Sequence, residues 1–214
     1  MSEFDPILSI LPAAQRRLWP ELSATPPQFT LYGGTALALR LGHRSSVDFD
    51  FFSNDHLDPD LLSRAVTYLH GAERVQVAPD PLTCRVDRNG GVLVSFFGGL
   101  DLARVTAPDT ARGTTIKVAS LLDIAATTLA VVQKRAEEKD YVDVDAILRS
   151  GVTLTNALIA ARTVYGERFN PVVTLKALSY FDDVVGLPSD VRGRLSAAVV
   201  GVNVASLAAR THTP

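Results

Sequence analysis

The chain has 214 residues, 47% of them hydrophobic and 21% charged, so it can bury a sizeable core, and disorder is excluded as its main state. The 21 basic and 23 acidic residues leave a net charge of −2, which excludes attachment to nucleic acid by bulk charge and leaves only local contacts. The single cysteine, Cys84, excludes an internal disulfide framework and any clustered thiolate metal site. No stretch is long and apolar enough to span a bilayer, and the start lacks a secretory pattern, so the sequence reads as a soluble, cytoplasmic protein with no membrane partner.

In chain order, residues 5–22 have helical spacing. Residues 28–32 read as a short strand ended by Gly33 and Gly34, and 35–41 as a two-turn helix with Gly42 in the C′ position. Residues 46–52 alternate: Val47, Phe49 and Phe51 fall on one side, Asp48 and Asp50 on the other. Residues 59–70 read as a helix. Strand runs follow at 74–78, 82–87 and 92–97, the last two joined by the hairpin signal Asn89-Gly90-Gly91. Composition shifts near residue 115 from turn-rich to alanine- and leucine-rich. This divides the chain into an α+β core at 1–115 and a helical lobe at 116–214. The lobe opens with helical spacing over 117–136, continues with a helix at 140–149, and holds three or four more helices in 155–209.

The informative residues are Gly33-Gly34-Thr35 followed by Asp48-Phe49-Asp50. Two carboxylates at i and i+2 of a strand share a face, with Cα atoms about 6.5–7 Å apart, and can converge on a divalent ion. Oxygen-only donors suit Mg²⁺ or Mn²⁺ rather than zinc. Gly-Gly-Thr between a strand and a helix start admits close approach to backbone N–H groups, which favour a phosphate. A phosphate cradle beside a carboxylate pair is equipment for nucleotidyl transfer.

Residues 33–52, from Gly-Gly-Thr-Ala-Leu to His-Arg-Ser-Ser-Val-Asp-Phe-Asp-Phe-Phe, resemble the AbiEii/AbiGii toxin family of nucleotidyltransferases. The resemblance continues weakly through residues 94–97 and resumes at 119–148 with the Arg-x-x-x-Lys-Asp-Tyr-x-Asp block of residues 135–143. It implies an α+β fold: a minimal nucleotidyltransferase-like mixed sheet with flanking helices, then a helical C-terminal lobe. It implies transfer of an NMP from a nucleoside triphosphate to an acceptor hydroxyl on tRNA or protein, with Mg²⁺ or Mn²⁺. It also implies the toxin role in a toxin–antitoxin pair, with a cognate antitoxin as partner. Carried over residue by residue, Asp48 and Asp50 match the metal-binding catalytic pair, and Asp140 joins the catalytic set. Gly33, Gly34, Thr35, Arg44, Ser46, Lys139 and Asp143 match the nucleotide-binding positions.

Two departures stand out. Thr128 occupies the place of a family lysine in the long helix, leaving its charge to Lys117, Lys134 or an arginine. Minimal nucleotidyltransferases often carry a third carboxylate on a following strand. Here the polar position in that run is Ser95, with Asp87 and Asp101 just outside it, so a single metal is the cautious expectation. These departures motivate a competing reading: a nucleotide- or partner-binding module of the same fold, without turnover. A third reading, a hydrolase using Asp48 and Asp50 as acid and base, fits neither the glycine turn nor the strand.

The plainer roles stand beside these. Thr35 is an ordinary N-cap type, and Asp140 sits where an N-cap belongs, with Asp143 three residues on. Arg40, His43 and Arg44 are candidates to steer the triphosphate, beside the plainer role of a solvated helix end, and Arg44 is the better ligand because guanidinium binds phosphate in a fork. Arg135 pairs with a nearby acid, and Lys134 and Lys139 are solvated. Cys84 is a small buried hydrophobe, and Trp19 packs the N-terminal helix. The uncharged stretch 195–209 is buried in the lobe ahead of serving as an oligomer or antitoxin contact.

Overall fold

The computed structural model describes residues 2–203. They divide into two compact units, one of residues 1–102 and 107–120, the other of residues 103–106 and those from 121 onward.

The first unit is built on a mixed sheet of eight strands among the described residues: β1 (Glu3–Phe4), β2 (Thr30–Tyr32), β3 (Asp48–Phe52), β4 (Glu73–Val77), β5 (Pro81–Asp87), β6 (Gly91–Phe97), β7 (Asp109–Ala111) and β8 (Lys117–Val118). Their order is β1-β7-β8-β2-β3-β6-β5-β4. β3 lies at the centre, antiparallel to β2 and parallel to β6. Its alternation works as the period of two requires. Phe49 and Phe51 are fully buried, and Phe51 stacks on Phe96 at 5.3 Å. Asp48 and Asp50 face the other way and are half-buried. Val47 is not part of the inner row and is 67% exposed, because the strand begins one residue later.

Helix α2 (Gly33–Leu41) follows β2 directly and ends at Gly42, whose left-handed φ of +61° closes the last turn. It begins two residues before the expected start, so Thr35 lies in its first turn and the N-cap is Tyr32. The expected helix at 5–22 is interrupted. A 3-10 turn at Leu8–Ile10 precedes α1 (Ala13–Leu18), and a second 3-10 stretch runs over Trp19–Ala24. Pro12 and Pro20, which lack an amide donor, mark the breaks. Trp19 is buried and its ring lies 6.2 Å from Phe49, anchoring this segment to β3. The expected helix at 59–70 is α3 (Pro59–Ala65), capped by the Asp58 carboxylate, and then a 3-10 turn after the extended Val66.

The second unit is helical: α4 (Leu121–Val131), α5 (Glu138–Arg149), α6 (Leu154–Tyr165), α7 (Pro171–Ala177) and α8 (Ser189–Val200). The helix expected over 117–136 is shorter, because Lys117 and Val118 form β8, and Val118 pairs with Leu31. Backbone pairing won there over helical spacing. Small residues on α4 (Ala125, Ala126) and α6 (Ala157, Ala160, Ala161) are buried where the two helices pack. The buried Asp123 carboxylate accepts the amides of Val105 and Thr106, which ties residues 103–106 to this unit. Asp145 of α5 and Arg194 of α8 form a two-bond ion pair at 2.6 and 2.8 Å. Part of the stretch 195–209 lies outside the described residues. Within it, Leu195 is buried and Val200 is 87% exposed. Among the described residues no single helix is long and apolar enough to cross a membrane.

Candidate active site

β2 ends where α2 begins, and the turn between them is Gly33-Gly34. Gly33 has φ +73°, a conformation that side chains strain to adopt, and a Cβ there would sit 2.9 Å from Asp50 Oδ2. A Cβ on Gly34 would sit 2.8 Å from Arg44 Nη2 and 3.0 Å from Ser46 Oγ. The absence of side chains at both positions therefore lets a carboxylate, a guanidinium and a hydroxyl close on one backbone turn. Tyr32 gives no side-chain cap to α2, whose first-turn amides carry the partial positive charge of a helix N-terminus.

Asp48 joins this group. Its Oδ1 accepts from Ser46 Oγ at 3.3 Å, and its main-chain carbonyl accepts from the Thr35 hydroxyl and from Gln15 Nε2 at 3.2 Å. Thr35 is therefore no N-cap. Its hydroxyl proton is committed to the Asp48 carbonyl. Arg44 Nη1 also donates to the Ser45 carbonyl at 3.0 Å, which steadies the guanidinium over Gly34. The first unit thus brings together Gly33, Gly34, Thr35, Arg44, Ser46, Asp48 and Asp50.

In the β3–β6 pairing Asp50 is opposite Ser95, and Ser95 is opposite Thr83 on β5. Ser95 and Thr83 are buried, and the Thr83 hydroxyl donates to Ser95 at 3.1 Å. The position beside Asp50 is thus a hydroxyl pair. Among the described residues no group of three or more His, Cys, Asp or Glu is placed to hold a metal ion. Asp48 and Asp50 nonetheless fit a hard divalent cation. Both offer oxygen, they share a face, and Mg²⁺ is commonly held by one or two carboxylates with phosphate oxygens and water completing its shell. A carboxylate against a turn that favours anions is also self-consistent only if a cation accompanies the anion.

The other expected residues lie in the second unit. α5 starts at Glu138 with Glu137 as N-cap, so Asp140 sits inside the first turn and is not the cap. It is buried and clasped by Arg135 through bonds of 2.8 and 3.0 Å. Lys139 is exposed and pairs at 2.9 Å with Glu137, whose carboxyl it holds below the usual range, and Arg135 adds to the effect. Asp143 is buried on the same helix. Burial, with the charges of Asp140 and Asp183, pushes the Tyr141 hydroxyl above its ordinary pKa. Thr128 donates its hydroxyl to the Ile124 carbonyl, an interaction internal to α4. Of the cations considered as stand-ins for the family lysine, Lys117 donates to the Pro27 carbonyl at 2.6 Å, while Arg44 stands at the glycine turn. Arg40 is not a solvated helix end. It pairs with Asp109 at 2.6 Å, donates to the Ala119 carbonyl, and lies 4.3 Å from the Phe4 ring centroid. Sequence reasoning missed Gln15, which lies 33 residues before Asp48 in a segment with no motif.

A mixed sheet whose central strand carries two carboxylates beside a glycine turn, followed by helices, is the architecture of a nucleotidyltransferase. The structure resembles the MenT4 nucleotidyltransferase toxin of Mycobacterium tuberculosis with a TM-score of 0.56 and 18% identity, over 89% of this chain and 83% of that one. It resembles a candidate nucleotidyltransferase from H. pylori with a TM-score of 0.56 and 15% identity, over 87% and 90% of the respective chains. In sequence it is 30% identical over 158 residues to an uncharacterised protein of Aquifex aeolicus, covering 72% of this chain and 74% of that one. The family model for the nucleotidyl transferase AbiEii toxin, of the type IV toxin–antitoxin system, matches residues 17–194. The chain belongs to this AbiEii family and is a nucleotidyltransferase of the toxin type.

Proposed function

We propose that the protein moves an NMP from a nucleoside triphosphate to an acceptor hydroxyl on tRNA or protein, in the presence of Mg²⁺ or Mn²⁺. The observation that carries this reading is the convergence of Asp50, Arg44 and Ser46 on Gly33-Gly34, with Asp48 bonded to Ser46. In this reading Asp48 and Asp50 hold the divalent ion. When bound, that ion supplies charge neutralisation at the triphosphate and lowers the pKa of a coordinated hydroxyl. The amides of Gly33, Gly34 and Thr35 cradle phosphate oxygens, Arg44 grips them as a fork, and Ser46 orients Asp48. Arg44 supplies the positive charge that Thr128 does not. On α5, Asp140 is the further catalytic carboxylate, aimed by Arg135, while Lys139 and Asp143 bind nucleotide. The unit that carries the sheet and the helical unit are the two working parts. The protein acts in the cytoplasm, where a cognate antitoxin neutralises it.

The test uses purified protein with Mg²⁺ or Mn²⁺ and each NTP radiolabelled at the α-phosphate, with and without total tRNA. Label passing to RNA or protein with wild type, and not with Asp48→Asn/Asp50→Asn, is the expected result. No transfer from any NTP by folded protein overturns it.

A further inference from the structure

Asp48 opens β3 at a point where the neighbouring strand has ended. β2 pairs with β3 only through Thr30–Phe52, Leu31–Phe51 and Tyr32–Asp50, after which the chain turns away at Gly33. A main-chain carbonyl beyond the end of a ladder needs another donor if it is not to be left unsatisfied. The Asp48 carbonyl receives two, both from side chains that are 1% exposed: the Thr35 hydroxyl from α2 and Gln15 Nε2 from α1. Gln15 lies outside the residues that match the family model. Its orientation follows from chemistry, since only the amide nitrogen can face a carbonyl. Its other end, Oε1, is buried with no hydrogen-bond partner among the described residues. Burying an amide half-satisfied costs stability. A leucine or methionine would fill that space without the cost, so core packing alone does not account for a glutamine here.

We infer that Gln15 is a positioning residue for the carboxylate pair. Together with Thr35 it fixes the peptide of Asp48, and through it the direction in which the Asp48 carboxylate meets the divalent ion. This rests on the proposal that Asp48 and Asp50 hold that ion. Two donors on one carbonyl also predict a particular coupling. Either substitution alone leaves the carbonyl one donor, and only the pair of substitutions leaves it none.

The test measures Mn²⁺ binding by electron paramagnetic resonance in the presence of a non-hydrolysable NTP analogue, together with thermal midpoints. The variants are Gln15→Met, Thr35→Val and their combination. Gln15→Met is expected to weaken Mn²⁺ binding by about tenfold, as loss of an outer-sphere partner does, with an unchanged or higher midpoint because the half-satisfied amide is gone. The double variant is expected to weaken binding by more than the product of the single effects. Gln15→Leu replaces the methionine variant should that one not fold. Wild-type Mn²⁺ affinity in Gln15→Met and in the double variant overturns the inference, as does a lowered midpoint with affinity intact, which marks a purely structural glutamine. Asp48→Asn/Asp50→Asn separates the two levels. If that variant still binds Mn²⁺ like wild type, the ion site itself is wrong. If it loses the ion while Gln15→Met does not, only the positioning role fails.

Discussion

The carboxylates of β3 and those of α5 live in opposite surroundings. On β3, Asp48 receives one serine hydroxyl, and Asp50 stands against a glycine with no side chain. On α5, Asp140 and Asp145 are buried and each is clasped by a guanidinium through two bonds, from Arg135 and Arg194. A forked arginine engages one lone pair on each carboxylate oxygen and fixes the group to the fold. The β3 carboxylates instead lie beside a serine hydroxyl and a turn without side chains. In the proposed function the β3 pair holds the ion, whereas Asp145 on α5 serves the packing of α8. Asp140 is held in the same forked way by Arg135, which in the proposed function aims it.

That contrast can be broken by substitution. Asp48→Asn/Asp50→Asn should cut nucleotidyl transfer by about a thousandfold or more, corresponding to about 4 kcal/mol of transition-state stabilisation, measured as label transfer. Its thermal midpoint should stay at or above that of wild type, because two like charges on one face are removed. Asp145→Asn should do the reverse. It lowers the thermal midpoint by several degrees by breaking the buried side of the pair and leaving Arg194 with Asp190 alone, and leaves transfer per folded molecule unchanged. If Asp145→Asn instead abolished transfer without affecting stability, the contrast would collapse.

Smaller effects sharpen it. Arg44→Ala should raise the KM for NTP by about tenfold, the scale of one lost bond to a charged group, and Arg44→Lys should recover only part of this because it lacks the fork. Gly33→Ala should cost about 1–2 kcal/mol in chemical denaturation, from the left-handed backbone, and should also push the Asp50 carboxylate aside. The smallest effect concerns acid. The Arg88 hydrogen bond holds the Glu21 carboxyl below the usual range, and the Leu61 and Asp60 amides do the same for Asp58 at the α3 cap. Groups whose pKa is lower when folded contribute stability above their unfolded value of about 4, and that stability is lost as pH falls through the folded one. Denaturation midpoints should therefore fall below about pH 4, and less steeply in Glu21→Gln and Asp58→Asn.

Much of this protein could be read from its residues, because the relevant physics is local. The Gly33-Gly34 turn, the closing Gly42, the alternation of β3 and the hairpin after Asp87 each depend on conformational freedom or a period of two within a few residues. The pairing of the glycine turn with Asp48 and Asp50 was legible for the same reason: only one short helix separates them. The tertiary structure decided what depends on distant partners. β1, β7 and β8 are strands of two or three residues, too short to show a period, and they exist because the sheet supplies hydrogen bonds along their edges. Lys117 and Val118 carry helical spacing yet pair as a strand, since backbone amides beside β2 offered more than another half-turn of α4. Arg40 appeared to be a helix-end cation until Asp109, 69 residues away, was brought to it. Gln15 could not be found at all from sequence. Its importance lies in a single carbonyl that β2 is too short to satisfy, and only the folded chain shows where a ladder runs out.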